Sequence, residues 1–319
     1  MSKARDIADS TTTLDVDGGT IKLDGNYPVG TNNVALGDAA LSSNVSGAGN
    51  TAIGHQAATN NTASNNTFVG FAIGYANTTG TENVGFGGEG ASSNTTLRFN
   101  TSGSYNSAIG IGALASNTTA SYNTAVGYQA GYSNTTGQVE AFGYQALYNN
   151  TGNYNQAFGY QALNSNTSGS YNIAMGRGAV QLNTTGSNNV GIGFQALVNN
   201  TTASNNTAVG YQAGLNNTTG NDNAFFGRIS GYTSTTAIQS TFVGAQTGYS
   251  NTTGSGNTFV GSDSGYLNTT GTRNQFFGKN SGESVTTGSK NTILGGYNGN
   301  FGGLDIRTSS NNIVLSDGD

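Results

Sequence analysis

Asn123-Thr124-Ala125-Val126-Gly127-Tyr128-Gln129-Ala130 recurs with small changes along most of the chain, and its kernel is Asn, any residue, a small or aromatic residue, a large apolar residue, then Gly. With that Gly as a pivot, the copies fall at Gly37, Gly54, Gly70, Gly87, Gly110, Gly127, Gly143, Gly159, Gly176, Gly193, Gly210, Gly227, Gly244, Gly261, Gly278 and Gly295, and Ser316 closes the series. The intervals are 17 residues with three of 16, apart from 23 between Gly87 and Gly110 and 21 between Gly295 and Ser316. A period of this length marks stacked coils, each burying little surface alone and depending on its neighbours. In the 23-residue interval, Ser93-Asn94-Thr95-Thr96-Leu97-Arg98-Phe99 is expected to bulge from one coil as a loop.

The 319 residues include 51 Gly and one Pro, only 8% are charged, and the net charge is −5. A hydrophobic fraction of 34% is low, but 16 Tyr and 14 Phe with so little charge speak against disorder. With no Cys and a single His, disulfide frameworks, thiol chemistry, Cys/His zinc sites and a Cys–His nucleophile pair are excluded. The acidic balance offers no basic stripe to displace counterions, so no nucleic-acid partner is expected. No apolar run is long enough for a membrane helix, and Met1-Ser2-Lys3-Ala4-Arg5-Asp6 lacks the apolar stretch of a secretory signal, so neither membrane insertion nor export by that route is expected.

No segment keeps a 3.6-residue apolar period, and Gly interrupts every candidate helix at roughly 1 kcal/mol relative to Ala, which leaves β-structure. The residue before each pivot is always large and apolar: Leu36, Ile53, Val69, Phe86, Ile109, Val126, Phe142, Phe158, Met175, Ile192, Val209, Phe226, Val243, Val260, Phe277, Leu294 and Leu315. This column is expected to be the buried coil core. The neighbour before it is mostly Ala or Gly up to Ala208 and then becomes Phe225, Phe242, Phe259, Phe276 and Ile293. Adjacent strand residues point to opposite faces, so a strand apolar at both has both faces covered. The second face is therefore read as a seam to another copy of the chain, which makes the protein a homo-oligomer.

A second short strand is expected at patches such as Gln145-Ala146-Leu147 and Gln161-Ala162-Leu163, followed by polar turns such as Asn183-Thr184-Thr185-Gly186. With no antiparallel hairpin signature, the coils are expected to stack in parallel, about 4.8 Å apart. Four residues before the pivot stands a recurring Asn: Asn33, Asn50, Asn66, Asn106, Asn123, Asn155, Asn172, Asn189, Asn206, Asn257, Asn274 and Asn291. Identical amides in register are expected to donate and accept along the stack as a ladder. Pro28 precedes the first repeat, where a missing amide donor does no harm.

The octapeptide Asn123–Ala130, repeated with Gln212-Ala213 at its end as Asn206–Ala213, resembles the head repeats of trimeric autotransporter adhesins. That resemblance, over residues 33–316, implies a left-handed parallel β-roll in which three chains pack side by side, although the family's usual coil is shorter. The ends, Met1–Asp9, Thr20–Tyr27 and Asn311–Asp319, resemble fibre proteins from tailed phages of marine cyanobacteria. This second resemblance implies a virion tail fibre: residues 1–30 attach to tail or baseplate proteins, 31–300 form the solenoid shaft, and 301–319 are the final coil and C-terminal end. It further implies a cleaved C-terminal chaperone, so that end is read as truncated or processed. The expected role is adhesion to a glycan or protein on a host surface. The alternatives are a bacterial extracellular adhesin at the cell surface and, more remotely, an ice-binding β-solenoid.

Other motifs have plainer readings. His55 follows a pivot, where other coils carry Phe71, Tyr128, Tyr144, Tyr160, Phe194 or Tyr211, so it is read as a ring filling a column. Asp15-Val16-Asp17-Gly18-Gly19 and Asp317-Gly318-Asp319 lack the spacing and closing Glu of a calcium loop. Gly85-Phe86-Gly87-Gly88 precedes no helix and is no phosphate cradle. The Asn-x-Thr/Ser triplets at Asn77, Asn117, Asn134, Asn183, Asn251 and Asn268 are read as turn chemistry rather than glycosylation sites. The Thr pairs at Thr118-Thr119, Thr184-Thr185, Thr218-Thr219 and Thr252-Thr253 lie in turns, where an irregular surface is expected. Glu82, Glu89, Glu140 and Glu283 form no repeating column, so a paired-carboxylate hydrolase is not expected. The reading is a structural protein, not an enzyme, with no catalytic, metal or cofactor site.

Overall fold

The computed structural model describes residues 14–16, 19–21, 31–88 and 94–317. Most of the expected attachment segment, Pro28 and the end of Asp317-Gly318-Asp319 lie outside the described residues. Within residues 1–30, β1 (Leu14–Val16) pairs antiparallel with β2 (Gly19–Ile21). The described residues are all-β, without helix, and form a parallel β-solenoid of about 16 turns on the 17-residue period.

The chain divides into two units, Met1–Asn153 and Tyr154–Asp319. In the first, β3 (Val34–Leu36), β4 (Thr51–Ile53), β5 (Thr67–Val69), β6 (Val84–Phe86), β7 (Ser107–Ile109), β8 (Thr124–Val126) and β9 (Val139–Phe142) pair in parallel, each with the next. In the second, the same holds for β10 (Asn155–Phe158), β11 (Ile173–Met175), β12 (Val190–Ile192), β13 (Thr207–Val209), β14 (Ala224–Phe226), β15 (Thr241–Val243), β16 (Thr258–Val260), β17 (Gln275–Phe277) and β18 (Thr292–Leu294). Equivalent residues of successive repeats face each other, as in Ala108↔Ala125 and Phe242↔Phe259.

The two long intervals have separate causes. An antiparallel hairpin of β19 (Asn300–Phe301) and β20 (Leu304–Asp305) fills the last one before β21 (Ile313–Leu315) pairs with β18. In the 23-residue interval, Thr95, Thr96 and Leu97 are buried and the Leu97 amide donates to Ala113 O, so these residues continue the coil instead of bulging from it. Residues 89–93 of that interval lie outside the described residues.

Each of the glycine pivots has a left-handed backbone. At Gly127, φ is +134° and a Cβ would stand 2.5 Å from the carbonyl oxygen of Gly143, so no other residue fits. The patch after the pivot is a turn, not the expected second strand. Gln145 and Leu147 have φ of 51° and 53°, a left-handed alternation incompatible with extended backbone. The backbone there still pairs between coils: the Gln145 amide donates to Tyr128 O, and the Gly131 amide to Ala146 O, each at 2.9 Å.

The two apolar faces of the strand are the reverse of the expectation. The interior is filled by the column two residues before the pivot: Ala52, Phe68, Ala108, Ala125, Phe225, Phe242, Phe259, Phe276 and Ile293 are fully buried. Phe225, Phe242, Phe259, Phe276 and Ile293 therefore cannot be an inter-chain seam. Of the expected core column, Ile53, Phe86, Ile109, Phe158, Met175, Phe226, Val243, Phe277, Leu294 and Leu315 are exposed, and Leu36, Val69, Val126, Phe142, Ile192, Val209 and Val260 are only half-buried.

In many coils interior volume is exchanged across the coil. Where the strand contributes Ala, the residue six positions later is often a large aliphatic one, as in Ala108 with Leu114, Ala141 with Leu147, Ala157 with Leu163 and Ala174 with Val180. Where the strand contributes Phe, that residue is Gly: Phe68 with Gly74, Phe225 with Gly231, Phe242 with Gly248, Phe259 with Gly265 and Phe276 with Gly282. The Phe-rich coils of the second unit thus have an interior filled from the strand side and not a thicker seam. Their rings stack 4.9 Å apart between Phe242 and Phe259, and 4.8 Å between Phe259 and Phe276. Each fully buried Phe contributes about 1.5–3 kcal/mol.

Most polar groups inside the coil are satisfied by two columns of Asn, with exceptions that include Asn117, Asn134, Asn217 and Asn268 Oδ1. In the anticipated one, Oδ1 chiefly accepts from the backbone amide of the next Asn: Asn50 N–H to Asn33 at 2.8 Å, Asn66 to Asn50 at 2.9 Å, Asn172 to Asn155 at 2.9 Å, Asn206 to Asn189 at 3.0 Å and Asn274 to Asn257 at 2.8 Å. The amide nitrogen donates to a turn carbonyl, as Asn172 Nδ2 does to Gly186 O at 2.9 Å. Direct amide-to-amide bonds also occur, as from Asn123 Nδ2 to Asn106 Oδ1 at 2.8 Å. Asn83, Asn223 and Asn312 belong to the same column. The second column is formed by the Asn of the polar turns. Asn183 Nδ2 donates to Asn166 Oδ1 at 2.7 Å and to Gly186 O at 2.9 Å, and Asn200 Nδ2 donates to Asn183 Oδ1 at 2.8 Å. Asn77, Asn117, Asn134, Asn183, Asn251 and Asn268 are all fully buried in this column, closed to a modifying enzyme in the folded chain.

Candidate functional site: the outward face of the repeat sheet

Because strand side chains alternate, the column before the pivot and the column two residues earlier share the outward face. The inner of these two columns, counted from the pivot, is the row of large apolar residues. Ile109 is 45% exposed, Met175 43% and Phe226 39%, which is unusual for residues of this size repeated at every coil. The other, Val34, Thr51, Thr67, Val84, Ser107, Thr124 and Glu140 in the first unit, and Gln156, Ile173, Val190, Thr207, Ala224, Thr241, Thr258, Gln275, Thr292 and Ile313 in the second, is mostly β-branched. Such residues fit a pleated sheet surface, so the strand propensity and the apolar character have one source.

The residue after the pivot flanks the apolar row. This column holds the rings, and they stack on one another outside the coil. His55 stacks on Phe71 at 5.1 Å, Tyr128 on Tyr144 at 5.4 Å, and Phe194 on Tyr211 at 5.4 Å. His55 Nε2 also lies 3.4 Å from Asp38 Oδ2, so it has a partner in its own column. Arg177 takes a ring position in the second unit, its guanidinium carbon 5.4 Å from the Tyr160 ring centre and 5.9 Å from that of Phe194.

The polar turn is more regular than its composition suggests. Thr167, Thr184, Thr201, Thr218, Thr235, Thr252 and Thr269 each donate Oγ1 to the carbonyl of the Thr one coil on, at 2.9–3.2 Å. These hydroxyl protons are spent on protein carbonyls rather than offered to a surface layer of water. Stacked Tyr pairs lie on other columns, Tyr105 on Tyr122 at 5.0 Å and Tyr232 on Tyr249 at 5.2 Å.

Among the described residues, no group of three or more His, Asp or Glu is placed to hold a metal ion, and no helix is long and apolar enough to cross a membrane. Glu82, Glu140 and Glu283 occupy three different columns of the coil. Sequence reasoning missed the true interior and the exposed row together. The signal that separates them is the exchange of Ala–Leu for Phe–Gly six residues apart, since only an interior column needs such compensation.

No known protein family, curated protein or solved structure matches the chain.

Proposed function

We propose that the chain is the shaft of a homotrimeric adhesive fibre, a left-handed β-roll of a phage tail that attaches through residues 1–30 and carries contact surfaces to a host cell. The observation that carries this reading is the outward apolar row, repeated coil after coil. Apolar surface exposed this regularly is costly to leave in water, and burial against an identical row removes it at about 25 cal/mol per Å². Identical chains share one coil spacing, so two rows meet rung by rung along their length. The scarcity of charge helps, because like charges stacked at about 4.8 Å would repel within a chain and again between copies.

A shaft of this kind acts mechanically. Parallel strands paired on both sides leave no long free edge, and three copies let weak contacts with a surface add through effective concentration. No step of chemistry is required of it. Immunogold electron microscopy with an antibody to the chain tests the assignment. Label along the tail fibres of virions supports it, whereas label on a cell envelope supports the bacterial adhesin and overturns the virion reading.

A further inference from the structure

The charges of the chain are unevenly placed. All of the net −5 arises in residues 1–153, and residues 154–319 carry six basic and six acidic residues. In the second unit the ring column, which borders the outward apolar row, bears Arg177, Arg228 and Lys279 at intervals of 51 residues, or three coils. All three are exposed. Three coil steps place successive cations about 14 Å apart. The only acid in that column of the unit is Asp317.

Arg177 is the clearest member. It is the only charged residue between Glu140 and Asp222, so its own chain offers no nearby carboxylate, and an identical chain in register offers none either. Its guanidinium carbon lies within 6 Å of the ring centres of both Tyr160 and Phe194, and the residue is exposed to solvent. A planar donor fork loses little freedom when it meets a carboxylate or sulfate, and the rings beside it offer apolar contact. Arg228 donates from Nη2 to Oε1 of Gln246 in the next coil at 3.2 Å.

We propose that this column in the second unit binds a linear acidic polysaccharide lying along the stack, its acid groups meeting Arg177, Arg228 and Lys279 in turn. The proposal names the ligand class of the adhesive role above and rests on that reading. A polymer suits the comb because each contact is weak, while linked contacts reinforce one another. The row before the pivot stays available for self-association, and the longer side chains of the bordering column keep their charged ends in water.

Binding of alginate, a polyuronate, and of dextran sulfate to the full chain tests the proposal, with neutral dextran as control and sedimentation of the same samples. One or both acidic polymers are expected to bind, and to bind less at high salt, while dextran does not. Which polymer binds distinguishes carboxylate from sulfate recognition. Arg177→Gln should weaken binding about tenfold, the scale of one charge-assisted pair, and the R177Q/R228Q/K279Q variant should abolish it. Arg273→Gln with Lys290→Gln, two exposed cations of a different column, should leave it unchanged. No binding by either polymer, or an equal loss in the R273Q/K290Q control, overturns the proposal. A monomer that still binds through the comb would instead overturn the trimer and leave the ligand class standing.

Discussion

Phe242 and Gly248 occupy one space: a Cβ on Gly248 would stand 2.5 Å from Cε2 of the Phe242 ring. In the coil of Ala157 the same interior is filled from the other side, by Leu163. Phe242→Ala should therefore cost about 3–5 kcal/mol through cavity formation. Gly248→Leu should be destabilising by overpacking, about 1–3 kcal/mol. The double variant F242A/G248L should recover more than half of the F242A loss, because Leu163 adopts the required left-handed backbone with φ of 50°. Urea unfolding of the four proteins checks this, and additive losses would refute the exchange.

The turn column of Asn is interrupted at Ser234. There the buried Oδ1 of Asn217 has no hydrogen-bond partner, whereas Asn200 Oδ1, one coil earlier, accepts from Asn217 Nδ2 at 3.0 Å. Ser234→Asn should supply the missing donor and raise stability by about 1 kcal/mol. Asn183→Ala should have the opposite effect, leaving Asn166 Oδ1 and Gly186 O each without that donor, at about 1–3 kcal/mol. Thermal unfolding of both variants checks the signs, and a destabilised S234N would contradict the ladder.

In the last hairpin, hydrogen bonds from Arg307 hold the Asp305 carboxyl down at about 2, against an ordinary 3.8. The Arg307 side chain donates to both carboxylate oxygens, at 3.0 and 2.7 Å. A carboxyl depressed by folding adds stability that is complete above its unfolded value and is lost as pH falls through the folded one. The hairpin should accordingly loosen between pH 3.8 and about 2, while the coils, which repeat no acid, change little. NMR titration of Asp305 beside a strand amide such as that of Phe259 checks this. Equal midpoints for both would contradict it.

Much of this fold was legible in one sequence. The pivots announced the period, the lack of hairpin signatures pointed to parallel stacking, and the Asn before most pivots fitted it, because a column of identical residues is useful only in register. Two features were not legible from alternation. Strands of three residues with apolar groups on both faces give no hint of which face is interior, so the rows of Ile109 and Ala108 were exchanged. The patch Gln145-Ala146-Leu147 has strand-like composition, yet two left-handed residues make it a turn, which requires backbone information that composition does not carry. The comb of Arg177, Arg228 and Lys279 was countable from the beginning, but it had no meaning until its column was known to face outward.

The proposed fibre requires that copies of the chain meet at the outward row. Sedimentation of the wild type beside Met175→Asp/Phe226→Asp, with circular dichroism on the same samples, tests it most directly. Both substituted residues are exposed in the single chain, so the variant should keep its β-signal, whereas Phe259→Asp, buried at 0% exposure, should lose it. A trimeric wild type and a folded monomeric M175D/F226D are expected. A monomeric wild type, or a variant that remains trimeric, would contradict it.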